Sequence, residues 1–458
     1  MKILVLNGSP KGSESVTMQS VKIMDLYSKK NAFQYYDVIK HVDKLDKIEE
    51  QEHLKELIKE SDGIIWAFPV YHLLVPGHYK RFIEKIYDSS VKECLNGKHS
   101  VVFTTSINYY DVVAHKYMKE VLCDLGSLVV DSLSHDMESI FNVSARKELV
   151  QCIENLNFAL ENGISFSNKK IVKKDLSIYK GVKGIEKIHM KGRICIVGDI
   201  SNSKSLSNMV EEYTSYFDNT DIIDLSNIDN YNYCIGCLRC SRTQKCIHEN
   251  SDDLRRIIDR IKNNYDIIVF AGEIKDRYLT WRMKTFFDRT FVYNHIPVFK
   301  GKQVAYIISG ELSKNDNLKN ILEIYSQGGR NLIGIVSDEL EDMEEISRNI
   351  KTLAQLTKRY FDDNYFRSET FYGVSGHKIF RDAVYGNLGT IFKYDYQYYK
   401  QNKQFDYIKT IDKIKYCFRR IFFNRKKVEK FMNNNMTSLM VSGHKKVVEE
   451  VSKNVEKY

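Results

Sequence analysis

The chain has 458 residues, 43% of them hydrophobic and 28% charged, with a formal net charge of +9, and it is too long for one ordinary hydrophobic core. No apolar run approaches the roughly 18 residues that span a bilayer, and residues 7–10 interrupt the apolar start too soon for a secretory signal peptide. Nine cysteines, an odd number, fit a reducing compartment better than a disulfide framework, so we expect a cytoplasmic protein of at least two domains.

The first half of the chain is predicted to alternate strands and helices. Short apolar strands are expected at residues 3–6, 63–68 and 100–105, and helices at 16–27, 79–87 and 114–125. Pro69 closes the second strand, and Gly126 stops the third helix. Because continuous apolar strands separated by helices are typical of a parallel sheet covered on both faces, the pattern predicts a doubly wound α/β domain.

The second half repeats this order after a connector rich in Lys, Ser and Gly. Strands are expected from residue 193, at 266–270 and at 303–308, and helices from about 205, from 252 and at 279–291. After about residue 364 the chain becomes Tyr-rich and basic, with scattered glycines. We therefore predict a first domain at 1–163, a linker at 164–190, a second domain at 191–364 and a basic, mainly helical extension at 365–458.

Individual positions also repeat between the two halves. Asp62, Lys80 and Gly97–Lys98 recur as Asp266, Lys284 and Gly301–Lys302, each displaced by 204 positions. The first strands, Lys2–Leu6 and Arg193–Val197, are displaced by only 191, so the second half has gained 13 residues. A cysteine-rich motif of that length, Cys234 to Cys246, lies in the same interval.

The loop after the first strand, residues 7–17, is rich in Ser, Gly and Thr. A strand that opens into a helix through small hydroxylated residues offers N–H groups, hydroxyls and the positive helix end to a phosphate. The loop has neither the G-x-G-x-x-G nor the P-loop pattern, and many such turns are Ser- and Gly-rich for steric reasons alone. The expected phosphate ligands are Ser9, Lys11, Ser13, Ser15 and Thr17.

Two further loops follow the second and third predicted strands. In a doubly wound sheet such loops line the switch-point crevice, where a flat ring can lie against an apolar wall. The expected ring-binding residues are Pro69, Val70, Tyr71 and His72 in the second loop, and Thr105, Ser106 and Asn108 in the third. His72 also fits a simply solvated position. A phosphate at one loop and a ring at the next indicate FMN.

Three motifs carry a specific resemblance: N-G-S-P from Asn7, F-P-V-Y from Phe68 and K-x-F-I-E from Lys80. The chain resembles the NADPH-dependent FMN reductases and iron-sulfur flavoproteins of the flavodoxin-like superfamily, over residues 1 to about 340, as two tandem copies. The resemblance implies a flavodoxin-like fold, FMN with its phosphate on the first loop, and hydride exchange with NAD(P)H at the flavin ring.

The second copy departs from these motifs. Its first loop, Gly198 to Ser205, carries Asp199 and lacks the Ser-Pro pair, and its second loop, Gly272 to Asp276, lacks the apolar F-P-V-Y wall. A carboxylate beside a dianionic phosphate opposes binding. We therefore expect the second copy to be a structural partner without flavin.

Cys234, Cys237, Cys240 and Cys246 form the motif C-x2-C-x2-C-x5-C. Three thiolates at successive spacings of three can wrap one face of a cubane, and a fourth completes a [4Fe–4S] site. Zinc usually takes two separated C-x2-C pairs, and cysteines without metal are the remaining alternative. The resembling iron-sulfur flavoproteins carry a compact cluster of this kind. We expect the cysteines to approach the face of the first domain that holds Tyr71 and Asn108.

The positive charge is concentrated in the extension. Residues 365–458 contain 19 Lys/Arg and 9 Asp/Glu, whereas the remainder of the chain is close to neutral. The aromatic and cationic stretch from Cys417 to Met432 fits a solvated helical face, a site for an anionic membrane surface, or a site for an acidic protein partner. No nucleic-acid recognition motif accompanies the charge, so nucleic acid is not expected as a partner.

The sequence thus predicts an FMN-dependent NAD(P)H oxidoreductase that passes electrons between FMN and the cluster, with a small-molecule or protein acceptor. Because the flavin exchanges the hydride itself, we name no catalytic side chain. One alternative is an electron-transfer or redox-sensing flavoprotein that acts with protein partners and binds no nicotinamide. Another is a scaffold whose basic tail is the binding module, which predicts a colourless protein.

Overall fold

The computed structural model describes residues 1–164, 176–182, 186–386, 388–405 and 426–453. Much of the predicted linker and residues 417–425 of the basic stretch lie outside these ranges. Within them the chain forms two parallel five-stranded sheets with helices, which confirms the α/β class and the helical character of the extension. The domain boundaries at 163, 190 and 364 stay predictions.

The first sheet has the strand order β2-β1-β3-β4-β5. Its strands are β1 (Lys2–Asn7), β2 (Ala32–Asp37), β3 (Gly63–Pro69), β4 (His99–Ser106) and β5 (Leu128–Asp136). Its helices are α1 (Val16–Tyr27), α2 (Val38–His41), α3 (Ile48–Glu60), α4 (Gly77–Tyr87), α5 (Asp111–Asp124) and α6 (Val143–Asn162). The chain goes from β1 outward to β2 and returns to β3 on the other side, so the switch point lies between β1 and β3.

The central strands of this sheet are buried on both faces. Ile3–Leu6 and Ile64–Phe68 are fully buried, as the continuous apolar runs predict. The core beneath α1 and α6 contains Ile3, Val5, Val21, Ile65, Val101, Phe103, Leu149 and Leu156. The core therefore holds the carboxyl ends of β1, β3 and β4 in fixed positions beside one another.

The second sheet has the order β7-β6-β8-β9-β10, the same order as the first. Its strands are β6 (Ile194–Gly198), β7 (Thr220–Asp224), β8 (Ile267–Glu273), β9 (Gln303–Ser309) and β10 (Asn331–Ser337). Its helices are α7 (Lys204–Ser215), α8 (Arg239–Thr243), α9 (Leu254–Asn264), α10 (Trp281–Thr290), α11 (Asp316–Tyr325) and α12 (Met343–Asp362). Ile196, Val269, Ala305, Leu206 and Leu353 belong to its separate core.

The repeated positions make equivalent contacts in the two sheets. The carboxylate of Asp62 accepts a hydrogen bond from the Lys2 N–H at 2.7 Å, and Asp266 accepts one from the Arg193 N–H at 2.9 Å. On α4 the buried Lys80 pairs with Glu84, and on α10 the buried Lys284 pairs with Asp288. The two halves therefore share these local hydrogen bonds and ion pairs as well as strand order.

The described residues divide into two compact units. One consists of Met1–Val172, Tyr233–Gly236 and Asn435–Tyr458, and the other of Lys173–Asn232 and Cys237–Asn434. The extension contributes α13 (Phe371–Tyr385), α14 (Lys393–Gln401) and α15 (Lys426–Lys453). No helix in the described ranges is long and apolar enough to cross a membrane.

Candidate functional site

The first loop, residues 7–17, leaves β1 through a turn that its own side chains fix. The buried Asn7 donates from Nδ2 to Asp37 Oδ1 at 2.7 Å, and its Oδ1 accepts from the Ser9 N–H at 3.0 Å. The Gly8 N–H donates to the Ala67 carbonyl at 2.7 Å. A Cβ on Gly8 would lie 2.7 Å from the Tyr79 ring, so only glycine fits here.

Three of the expected phosphate ligands are buried hydroxyls. Ser9, Ser15 and Thr17 are each 3% exposed or less. Ser15 caps α1 by accepting from the Met18 N–H at 3.1 Å. Lys11 is partly buried, whereas Ser13 is exposed. The loop therefore places small hydroxyls at the positive end of α1.

The first and third loops meet through two hydroxyl groups. Thr17 Oγ1 lies 2.6 Å from Thr105 Oγ1, and both side chains are buried. Ser106 follows at the end of β4, where its Oγ accepts from the Asn108 N–H at 2.8 Å. Asn108 is exposed with a φ of 56°. The structure thus brings the predicted residues of these two loops together at the carboxyl ends of β1 and β4.

The second loop follows Pro69 and forms a tight turn. The Val70 N–H donates to the Thr105 carbonyl at 3.0 Å, which ties this loop to β4. Tyr71 and Leu74 exchange backbone hydrogen bonds of 2.8 and 3.0 Å around His72 and Leu73. These two central residues have φ values of 40° and 73°, the left-handed region that non-glycine residues rarely adopt. Such backbone strain clusters at functional sites, and here it fixes the chain that carries Tyr71.

A buried histidine supports the third loop from α5. His115 Nε2 lies 2.7 Å from Thr104 Oγ1, one residue before Thr105. Burial lowers the pKa of His115 to about 4, and the opposing effect of Asp111 is smaller. The imidazole is therefore neutral at pH 7 and fixes the Thr104 hydroxyl without placing a charge near the loop.

Segment Tyr233–Gly236 also belongs to the first compact unit. The Tyr233 hydroxyl accepts from Arg81 Nη1 at 2.7 Å, and its ring packs edge-on against His78 at 5.9 Å. The Tyr71 hydroxyl occupies the space where a Cβ on Gly236 would lie. Cys234, the first cysteine of the motif, is thus in a segment that contacts the second loop.

In the second sheet the equivalent loops are filled by carboxylates of the chain itself. Asp224 accepts from the N–H groups of Ile200 and Ser201 at 3.1 and 3.0 Å. Asp338, 3% exposed, accepts from Ser309 Oγ and the Gly310 N–H, both at 2.7 Å, and from Ser205 Oγ. Ser205 and Ser309 correspond to Thr17 and Thr105. These donors are therefore already satisfied by internal anions.

The other three cysteines of the motif belong to the second compact unit. Cys240 lies on the short helix α8, and its Sγ is 3.7 Å from the Phe291 carbonyl. The buried Arg242 on the same helix lies 3.6 Å from Glu429 and donates to the Thr390 carbonyl. Within the described ranges, no three His, Cys, Asp or Glu side chains are arranged to hold a metal ion. None of the eight described cysteines is in a disulfide bond.

Sequence reasoning missed several residues that shape the site. Tyr233 contacts α4 and Gly236 contacts the second loop from more than 150 positions away in the chain, and no local pattern signals these contacts. Asp37 and His115 belong to β2 and α5 and support the loops from behind. The sequence could have suggested that polar residues at strand and helix ends support these loops, but it could not have shown which residue each one contacts.

A known protein family matches the residues of the first sheet. Residues 1–136 match the family model of NADPH-dependent FMN reductases, and the match ends with β5. This confirms the resemblance expected from the loop motifs for the first sheet. The second sheet and the cysteine motif lie outside the matched residues.

The chain is also similar to curated iron-sulfur flavoproteins. It is 25% identical over 183 residues to one from Archaeoglobus fulgidus, covering 37% of this chain and 78% of the relative. It is 26% identical over 169 residues to one from Clostridioides difficile strain 630, covering 32% and 71%. These relatives correspond to about a third of the chain.

Solved structures give matches of similar extent. The flavoenzyme NAD(P)H:(acceptor) oxidoreductase FerB from Paracoccus denitrificans is 19% identical, with a TM-score of 0.29, covering 35% of this chain and 97% of that one. An FMN-dependent NADH-azoreductase from Bacillus anthracis, solved with FMN, is 16% identical with a TM-score of 0.27, covering 35% and 98%.

Proposed function

We propose that this protein is an FMN-dependent NAD(P)H oxidoreductase that binds one FMN at the carboxyl edge of the first sheet. The observation that carries the proposal is the contact between the Thr17 and Thr105 hydroxyls, which joins the first and third loops next to the switch point. The FMN reductase match over residues 1–136 covers both loops.

The first loop fits a phosphate group. The buried hydroxyls of Ser9, Ser15 and Thr17 lie at the N-terminus of α1, where backbone N–H groups and the helix dipole favour an anion. Gly8 lets the backbone pass directly over the Tyr79 ring. Lys11 supplies a cation from the partly buried rim.

The second and third loops fit a flat ring. Pro69, Val70 and Tyr71 form an apolar and aromatic wall, and the strained turn at His72 and Leu73 fixes that wall. Thr105, Ser106 and Asn108 would supply polar groups to one edge of the ring. When bound, FMN supplies hydride exchange between a nicotinamide and an acceptor, so the chain's own residues bind and orient the ring and no dedicated acid or base is required for that step.

We propose that the second sheet binds no flavin. Asp224 and Asp338 occupy the donors of its loops, and Asp199, 2% exposed, adds a third carboxylate there. A dianionic phosphate would have to displace buried carboxylates from hydrogen bonds that they already make. The expected stoichiometry is one FMN per chain.

We also propose that Cys234, Cys237, Cys240 and Cys246 bind a [4Fe–4S] cluster that exchanges electrons with FMN. Their spacing and the names of the two curated relatives support this assignment. Among the described residues, the side chains of these cysteines are not gathered into a metal site. The cytoplasmic location and a docking role for the basic extension stay predictions.

The first experiment is flavin, iron and sulfide analysis of anaerobically purified protein, followed by steady-state oxidation of NADH and NADPH. We expect one FMN per chain and turnover with a nicotinamide.

Thr17→Val should weaken FMN binding, whereas Ser205→Ala, at the equivalent position of the second sheet, should leave it unchanged. A protein that binds no FMN contradicts the proposal, and one that binds FMN without nicotinamide turnover is an electron carrier. Four irons per chain would support the cluster, and Cys234→Ser should then lower the iron content.

A further inference from the structure

Part of helix α15 belongs to the compact unit of the first sheet, although more than 270 positions separate it from α6. Val451, 2% exposed, lies in the first core, and Val447 and Val448 pack against that core. His444 Nε2 lies 2.6 Å from the Met137 carbonyl, and its ring is 4.8 Å from the Phe141 ring. Apolar packing and a buried hydrogen bond therefore anchor this part of the helix.

One residue beyond His444, the helix reaches the first loop. Lys445 forms an ion pair with Glu14, which lies in the short turn Gly12–Glu14 between Ser13 and Ser15. Their side chains are 44% and 58% exposed. An exposed pair of this kind contributes little to folding stability, and the anchoring contacts of the helix do not depend on it.

The ion pair matters for the charge beside the proposed phosphate site. The first loop contains the charged residues Lys11 and Glu14. Asp37 accepts from Asn7 at the start of the loop and pairs with Lys40 at 2.7 Å, and Lys445 pairs with Glu14. These five side chains together carry one net positive charge. Without Lys445 the net charge of the other four would be zero. In the absence of Lys445 the negative charge of Glu14 would oppose the approach of a dianion without compensation.

We infer that Lys445 is a positioning residue for the flavin phosphate: by neutralising Glu14 it raises the affinity of the first loop for the phosphate group of FMN. The inference rests on the proposed function, because it requires FMN at the first loop. The effect of Lys445 on affinity is expected only for a ligand that carries a phosphate group. Riboflavin, which has the same ring and no phosphate, should not respond to Lys445.

The test compares Lys445→Met with Lys446→Met, an exposed neighbour on the same helix. FMN and riboflavin dissociation constants are measured from quenching of flavin fluorescence at low and high ionic strength. We expect Lys445→Met to weaken FMN binding about fivefold at low ionic strength and less than about twofold at high salt, because salt screens exposed charges. Riboflavin binding and the thermal midpoint should be unchanged.

Two further variants separate charge from packing. Lys445→Arg keeps the charge and should bind FMN like the wild type. The double variant Glu14→Gln with Lys445→Met removes both charges and should restore most of the affinity. Equal FMN affinity for Lys445→Met and Lys446→Met would overturn the inference while leaving the proposed function intact. Parallel weakening of FMN and riboflavin would also overturn it, and absence of FMN binding by the wild type would overturn both.

Discussion

Gly8 lies where the first loop leaves β1, with no space for a side chain. Gly8→Ala should destabilise the first domain by about 1–3 kcal/mol, because the added methyl overpacks against Tyr79 and Phe68. It should also weaken FMN binding at least about tenfold by displacing the loop. Urea unfolding and FMN titration measure the two effects.

The control for this substitution is Gly97→Ala. Gly97 has a φ of +76°, and no atom lies within 4 Å of where its Cβ would be, so alanine there adds backbone strain without overpacking. It should cost about 1 kcal/mol and leave FMN affinity unchanged. Equal effects of both variants on FMN affinity would refute the steric explanation for Gly8.

His115 should make folding stability depend on pH. Its pKa is lowered from 6.5 to about 4 in the folded chain, because burial disfavours the imidazolium. Between these values the unfolded chain binds a proton that the folded chain does not, so stability is lost as pH falls from about 6.5 towards 4. The loss reaches at most about 3 kcal/mol.

The corresponding measurement is the free energy of unfolding at about pH 7, 5.5 and 4.5. We expect His115→Gln to flatten the pH dependence relative to the wild type, and His53→Gln, at an exposed histidine, to leave it unchanged. A wild-type slope that survives in His115→Gln would show that other groups cause it.

Single residues also show where sequence reasoning succeeds and fails. Thr17 and Thr105 could be placed at the site because motifs fix which strand each one follows. The sequence predicts a helix from residue 252, whereas α9 begins at Leu254. The buried Asp252 carboxylate accepts from both terminal nitrogens of Arg289, at 2.5 and 2.9 Å, and also from the Leu254 N–H at 3.2 Å. The ion pair joins residues that lie 37 positions apart in the chain, so no local pattern reveals it.

At the scale of elements, the two sheets differ most in the carboxylate of Asp338. Asp338→Ala should destabilise the second domain by about 2–4 kcal/mol, because Ser205, Ser309 and Gly310 lose a buried acceptor. FMN should still saturate at one per chain, since Asp199 and Asp224 remain. Glu344→Ala, at a side chain 89% exposed, is the control. A second bound FMN in the wild type would contradict the assignment.

The strands that could be predicted from the sequence are the deeply buried ones. The central strands β1, β3, β4, β8 and β9 are continuous apolar runs and could be predicted. The edge strand β2 is half exposed and β7 is mostly of intermediate burial, and both lack such continuous buried runs, so the sequence pattern did not reveal them. They form because their backbones pair with β1 and β6, which is a property of the sheet.

At the scale of the whole molecule, the two cores should unfold separately. Helix α15 should unfold together with the core of the first sheet. Val451→Asp places a carboxylate in the core of the first sheet and should destabilise that unit by about 3 kcal/mol or more. Lys453→Asp, at an exposed position on the same helix, should have little effect. The second unit should be unaffected by either substitution.

The chain's two tryptophans allow this measurement, since Trp66 lies in β3 and Trp281 in α10. In Trp281→Phe, Trp66 remains as the fluorescence reporter of the first unit. In Trp66→Phe, Trp281 remains as the fluorescence reporter of the second unit. A shift of the Trp281 signal by Val451→Asp would disprove the assignment of the helix. The sequence predicted a helical extension but not its place, because the packing of Val451 joins segments that are distant in the chain and leaves no local pattern.

The position of Val451 in the first core also has a consequence for biosynthesis. The helix that completes the core around strand β1 is translated more than 400 residues after that strand, on the order of tens of seconds later at ordinary elongation rates. A nascent chain interrupted before that helix would expose apolar surface on its flavin domain. The core of the first unit is therefore completed only after that helix has been synthesised.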